Sequence, residues 1–199
     1  PDLHIAIAIK NEAAWRQAMT GVRPIVKKAV CAVLDSQPDL PAGPVQLSVL
    51  LTNDAEVRRL NKLWRGQDKP TNVLSFPADQ YKPVDRKKNK ESKNKKLMGK
   101  PKPILLGDVV IARETILREA RSEKKTPRAH MAHLVVHGVL HLLGYDHERL
   151  KAANVMESLE RQILASLKIA DPYLPPVSKS PSHRARTFRT NAPRKGKAA

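Results

Sequence analysis

Leu3, Ile5, Ile7 and Ile9 alternate with His4, Ala6 and Ala8. A period of two predicts a strand with one face in a core. From residue 12 to 35 the period lengthens. Trp15, Met19, Val22, Val26, Val30 and Val33 recur at three to four, predicting a helix that Pro24 should kink or split. Pro38, Pro41, Gly43 and Pro44 mark a loop, and Val45 to Leu51 reads as a second strand. Asn53 or Asp54 is placed to cap a helix running to about Trp64. Val73, Leu74 and Phe76 form a short third strand ended by Pro77, Ile104 to Ala112 a fourth, and Arg113 to Glu123 a helix. Thr126-Pro127 combines a capping hydroxyl with proline at the first helical position. The helix it opens should reach about Leu143 and stop at Gly144, a residue suited to the left-handed turn after a helix. A last helix is expected over Glu148 to Leu167, and Pro172, Pro175 and Pro176 close the pattern. The sum is an α+β fold: a small mixed sheet of about four strands packed with helices, with no internal repeat.

Composition adds a constraint on partners. The 199 residues suffice for one domain with a substantial core. The formal charge of +18 is that of a chain that meets nucleic acid or another polyanion. Most of it is local. Residues 82–102 and 176–199 together carry +15, leaving about +3 for everything else. The first stretch has almost no apolar content and reads as a mobile loop insertion over about 80–103; the second reads as a disordered basic tail over 175–199. Their only aromatics are Tyr81, at the edge, and Phe188, so the expectation is added RNA affinity without base recognition. A single cysteine, Cys31, expected in the core, rules out a disulfide framework and suits a reducing compartment. No apolar run reaches membrane-spanning length and no secretory signal is visible, so the expected location is cytoplasmic, away from membranes. The chain starts at Pro1 rather than Met, which leaves room for a segment upstream.

Five of the seven histidines fall between residues 130 and 147. His137 and His141 stand four apart, so their side chains share one helix face about 5–6 Å apart. After Gly144 the chain can turn and bring His147 over the same face. Three neutral nitrogens around a tetrahedral Zn2+ leave a fourth position open, as in catalytic rather than structural zinc sites, and bound water there can ionise near neutral pH. His133, one turn before His137, is expected to pack or hydrogen-bond beside the cluster. The spacing is that of the metzincin proteases, His-Glu-x-x-His-x-x-Gly-x-x-His, a zincin-like helix. Here Gly138 holds the Glu position, which argues against peptide hydrolysis by that route.

His137-Gly138-Val139-Leu140-His141-Leu142-Leu143-Gly144-Tyr145-Asp146-His147 resembles the signature of the YbeY family at every fixed position. The block from Leu60 to Pro77, with Arg65-Gly66-Gln67-Asp68-Lys69-Pro70-Thr71-Asn72-Val73-Leu74-Ser75-Phe76-Pro77 at its heart, is similar to the family's other hallmark. Leu106-Gly107-Asp108-Val109-Val110-Ile111 and Asp171-Pro172-Tyr173 also match. The resemblance covers about residues 1–174, taken as the metal-dependent hydrolase domain. The basic insertion and the tail are longer than the family leads one to expect. The resemblance implies a single-strand-specific endoribonuclease that acts in ribosomal RNA maturation, at the 3′ end of the small-subunit RNA, and in ribosome quality control. Its partners would be ribosomal RNA, the small ribosomal subunit and assembly factors. It implies one zinc ion per chain on His137, His141 and His147, and a functional arginine at Arg65. A guanidinium suits the charge that grows on non-bridging phosphate oxygens. By its residues alone, Arg65 could equally be a solvated cation at a helix end.

Asp68, Thr71, Asn72 and Ser75 are explained by turn and capping chemistry. Asp146 could orient a histidine or bond its own turn. Two other functions stay open: a zinc-bearing ribosome-assembly factor that binds RNA with little turnover, and a metalloprotease. Attack by water and attack by a 2′-hydroxyl also stay open.

Overall fold

A computed structural model describes residues 3–38, 40, 43–78 and 102–174. The expected tail over 175–199, and all but the last two residues of the expected insertion, lie outside the described residues. The elements follow the periodicities closely. In order they are β1 (Leu3–Ile9), α1 (Glu12–Ala18), α2 (Val22–Asp35), β2 (Val45–Thr52), α3 (Asp54–Arg65), β3 (Val73–Pro77), β4 (Ile104–Ala112), α4 (Arg113–Ser122), α5 (Pro127–Leu142) and α6 (Leu150–Ser166). The sheet order is β1-β2-β4-β3. β1 and β2 pair in parallel, as do β2 and β4, while β3 runs antiparallel to β4 at the sheet's edge. The fold is α+β with a mixed four-stranded sheet.

One face of this sheet carries the main core. Ile5 and Ile7 of β1, Leu47, Val49 and Leu51 of β2, and Val109 and Ile111 of β4 meet α2, α5 and α6 there. Helix α5 is apolar nearly all round because it is enclosed: it packs on β3 and β4 and between α2, α4 and α6. The opposite face has a smaller cluster under α3, built from Val57, Leu74, Val110 and Ala112 with Leu60 and Phe76 at its margin. Edge strand β3 thus lies between the two layers and touches both α3 and α5.

Three local expectations are corrected. The helix over 12–35 does break, but at Met19–Gly21 rather than Pro24. Pro24 sits in the first turn of α2, where its missing N–H leaves no bond unmade. The last helix begins at Leu150 rather than Glu148, because residues 146–149 are used by the turn that carries His147. Cys31 is half-buried at the core's margin rather than inside it.

Candidate metal centre

Helix α5 is fixed at both ends by its own sequence. Thr126 Oγ1 accepts from the Ala129 N–H at 3.2 Å, with Pro127 as first helical residue. At the other end Gly144 adopts φ 83, which most residues resist. The Tyr145 N–H then bonds the Leu140 carbonyl at 3.1 Å, and the Tyr145 hydroxyl donates to Gln37 Oε1 at 2.9 Å, tying the turn to the loop after α2. This turn returns His147 to the face that carries His137 and His141. One nitrogen from each of the three lies within 4.8 Å of the others. Ring centroids are 4.6 Å apart for His137–His141, 5.4 Å for His137–His147 and 5.1 Å for His141–His147.

The hydrogen bonds behind these rings decide what the ring fronts can do. His137 Nδ1 donates to Glu160 Oε1 at 2.8 Å, and His141 Nδ1 donates to the Tyr145 carbonyl at 2.9 Å. With both Nδ1 atoms committed as donors, a neutral imidazole has only a lone pair left at Nε2. Those two Nε2 atoms face each other across 3.0 Å. Two lone pairs at that distance repel unless a cation lies between them. Two nitrogens on a tetrahedral zinc at 2.0–2.1 Å each would stand about 3.3 Å apart, so the donor set fits a metal. Burial, reinforced by the charges of His137 and His147, lowers the pKa of His141 to about 4. His141 is therefore neutral at pH 7 and offers the lone pair that metal ligation needs.

Glu160 is the residue that the sequence reading missed. It is 0% exposed. Its Oε2 accepts from His133 Nε2 at 3.0 Å and from the Tyr173 hydroxyl, while Oε1 takes His137. Burial opposes its ionisation, but these three donors outweigh that and hold the carboxyl well below the usual range. Burial and the Glu160 charge push the Tyr173 phenol well above its ordinary value. The Tyr173 ring is itself held under the Arg161 guanidinium, 4.7 Å from the ring centroid. A signal was present in α6. Met156, Glu160, Ile163 and Leu164 share its buried face, and a carboxylate in such a stripe requires partners. Glu160→Gln keeps the side-chain volume but removes the charge and one acceptor. It is expected to weaken metal affinity about 10–100-fold, read by competition with a chromophoric chelator. Unchanged affinity would mean that His137 needs no such support.

The other sequence candidates fall out differently. Arg65 is the last residue of α3, exposed, before Gly66. Its charge is among those that lower the pKa of His141, so it stands near the cluster without hydrogen-bonding to it. No carboxylate among the described residues pairs with it. Asp146 accepts from the Glu148 N–H at 3.2 Å and so serves its own turn. Asp68 pairs with Arg58 and Lys62 on the surface. Asn72 receives the Val73 N–H at 2.7 Å and donates to Glu119, which also holds the buried His130 at 2.7 Å. Ser75 Oγ donates to the Gly138 carbonyl at 3.0 Å and links β3 to α5 beside His137.

Gly138 has a steric reason to be glycine. A Cβ there would lie 2.9 Å from Val109 Cγ1, 3.1 Å from Ser75 Oγ and 3.2 Å from Val73 Cγ2. The sheet occupies the place where a metzincin carries its glutamate.

Comparison with known proteins places the chain in a family. The profile of the family described as Endoribonuclease YbeY matches residues 8–168. Three curated relatives bear that same name. One from Nitrobacter winogradskyi is 48% identical over 162 residues, 81% of this chain and 78% of its own. One from Rhodospirillum rubrum is 45% identical over 179 residues, 86% of this chain and 83% of its own. One from Azorhizobium caulinodans is 42% identical over 175 residues, 88% of this chain and 99% of its own. The matched span holds β2, β3, β4 and the last two residues of β1, together with the three clustered histidines, Arg65 and Glu160; on that match the chain belongs to the Endoribonuclease YbeY family.

Proposed function

We propose that this chain is a zinc-dependent endoribonuclease that cuts single-stranded ribosomal RNA. Its roles would be maturation of the small-subunit RNA 3′ end and ribosome quality control. It would work in the cytoplasm, with the small ribosomal subunit and assembly factors as partners. The observation that carries the reading is the pair of Nε2 atoms facing across 3.0 Å, with His147 at hand, in a member of an endoribonuclease family. No helix among the described residues is long and apolar enough to cross a membrane.

His137, His141 and His147 would hold the metal. When bound, zinc supplies a Lewis acid for the phosphate and lowers the pKa of water. The protein's own residues do the rest. Glu160 and the Tyr145 carbonyl keep two imidazoles turned inward. The Arg65 guanidinium holds non-bridging oxygens of the scissile phosphate as their charge grows. Residues 1–174 form the catalytic unit. The basic stretches over 80–103 and 175–199 add salt-sensitive attraction to the RNA backbone without reading its sequence.

The test is cleavage of a single-stranded fragment from the small-subunit RNA 3′ end by zinc-loaded protein, beside the same RNA annealed to its complement. Cleavage of the single strand alone, stopped by a chelator, is expected. Arg65→Ala should keep its zinc and lose about 10²–10³ in rate. A 5′-phosphate on the product would assign water as nucleophile, and a cyclic phosphate the 2′-hydroxyl. RNA bound at full zinc occupancy but left uncut would replace this reading with an assembly factor.

A further inference from the structure

The two tryptophans divide sharply. Trp15 is 1% exposed and Trp64 is 67% exposed. Indole is costly to leave in water, and tryptophan is highly buried on average. Trp64 is nevertheless held in place. It is the next-to-last residue of α3, and its ring packs edge-on against Phe76 of β3, with centroids 6.1 Å apart and planes at 64°. Its neighbour Leu63 is 65% exposed.

The charge around this ring is selective. Arg58 and Lys62 are paired with Asp68, and Arg59 with Glu56. Arg65, by contrast, has no carboxylate partner among the described residues. Phe76, which braces the indole, directly follows Ser75, which bonds the Gly138 carbonyl next to His137. Ser75 and Phe76 are consecutive in this edge strand, so their side chains leave it on opposite faces, Ser75 toward the histidine helix α5 and Phe76 toward α3. The last two residues of α3 are thus an exposed indole and an exposed arginine. An unpaired nucleotide presents the complement: a flat base beside a phosphate.

Resting on the reading that the substrate is single-stranded RNA, we propose that Trp64 is a base-stacking subsite that positions an unpaired nucleotide while Arg65 takes its phosphate. Stacking of this kind tolerates any base and is closed to bases already stacked inside a duplex. It gives the body of the protein a preference for single strands that the basic stretches lack.

The experiment uses the zinc-loaded full chain and a short 2′-O-methyl RNA strand, its integrity checked on a gel afterwards. Because Trp15 is sealed from solvent, a change in tryptophan fluorescence reports Trp64. Quenching by the base-bearing strand is expected, with much less from an abasic strand of equal length and charge. Trp64→Leu should lose about 5- to 140-fold in affinity for the base-bearing strand and little for the abasic one, with Trp64→Phe between them. Equal affinity of wild type and Trp64→Leu, with the indole unquenched, would overturn the subsite while leaving the nuclease reading intact. The exposed indole would then belong to a protein partner. A wild-type chain that neither binds nor cuts single-stranded RNA would overturn both.

Discussion

His141→Ala is expected to lose its zinc and its RNA cleavage together. His141 is the ligand whose state is best defined: its Nδ1 is tied to the Tyr145 carbonyl at 2.9 Å, and its pKa is lowered to about 4. Its Nε2 lone pair is thus available at any pH near neutrality, with no proton to displace. Alanine removes that lone pair and leaves His137 and the exposed His147 as a two-nitrogen set. A residue that only supports a ligand typically costs 10–100-fold in metal affinity, so loss of the ligand itself should cost more than about 100-fold. The fold should survive, because His141 is only half-buried and the turn after α5, although it loses the ring's bond to the Tyr145 carbonyl, keeps the Tyr145 N–H bond to Leu140 and the Tyr145 hydroxyl bond to Gln37. Zinc content by mass spectrometry, measured beside RNA cleavage on identically prepared wild type, reads both effects. A variant that keeps one zinc per chain and cuts at the wild-type rate would remove His141 from the centre. A variant that cuts equally without zinc would expose a contaminating nuclease.

What the sequence made legible was what is encoded locally. The alternation of Leu3, Ile5, Ile7 and Ile9 became β1, and the Thr126-Pro127 and Gly144 signals bounded α5 to within a residue. The histidine cluster was readable for the same reason, since all three residues lie within 11 positions on one helix and its terminal turn. What escaped was tertiary. Glu160 meets His137 only because α6 packs against α5, across 23 residues of chain. Asp171-Pro172-Tyr173 was visible as a motif. That its tyrosine locks Glu160 was not, because nothing local to the motif points there. The break before α2 was misplaced because proline is the louder signal. Gly21 at φ 68 and the extended Met19 make the actual turn, and Pro24 falls where a helix tolerates it. Gly138 is the sharpest case. Read along the chain it is a missing carboxylate; seen in the fold it is the contact point between α5 and two strands.

Gly138→Glu, which restores the metzincin spacing, is expected to unfold or severely destabilise the protein rather than produce a peptidase. The first added carbon already approaches Val109 Cγ1 to 2.9 Å, and Val109 is 0% exposed with no free space to yield. Overpacking of this kind costs about 1–3 kcal/mol. The remaining atoms would add a carboxylate to a contact already filled by Val109, Ser75 and Val73. An uncompensated buried charge adds about 3–5 kcal/mol, against a total stability of about 5–15 kcal/mol for a typical domain. Gly138→Ala isolates the first part. Its clash is offset by about 1 kcal/mol of helix propensity, leaving a net cost of about 0–2 kcal/mol. At about 2–4 °C per kcal/mol for a chain of this size, its Tm should fall by no more than about 8 °C, whereas Gly138→Glu should fall well beyond that or fail to fold. Thermal unfolding of the three proteins, with and without zinc, makes the comparison. If Gly138→Glu unfolds at the wild-type temperature, the sheet does not fill that position. The absence of a glutamate would then be a choice about chemistry, made where α5 had room for either residue.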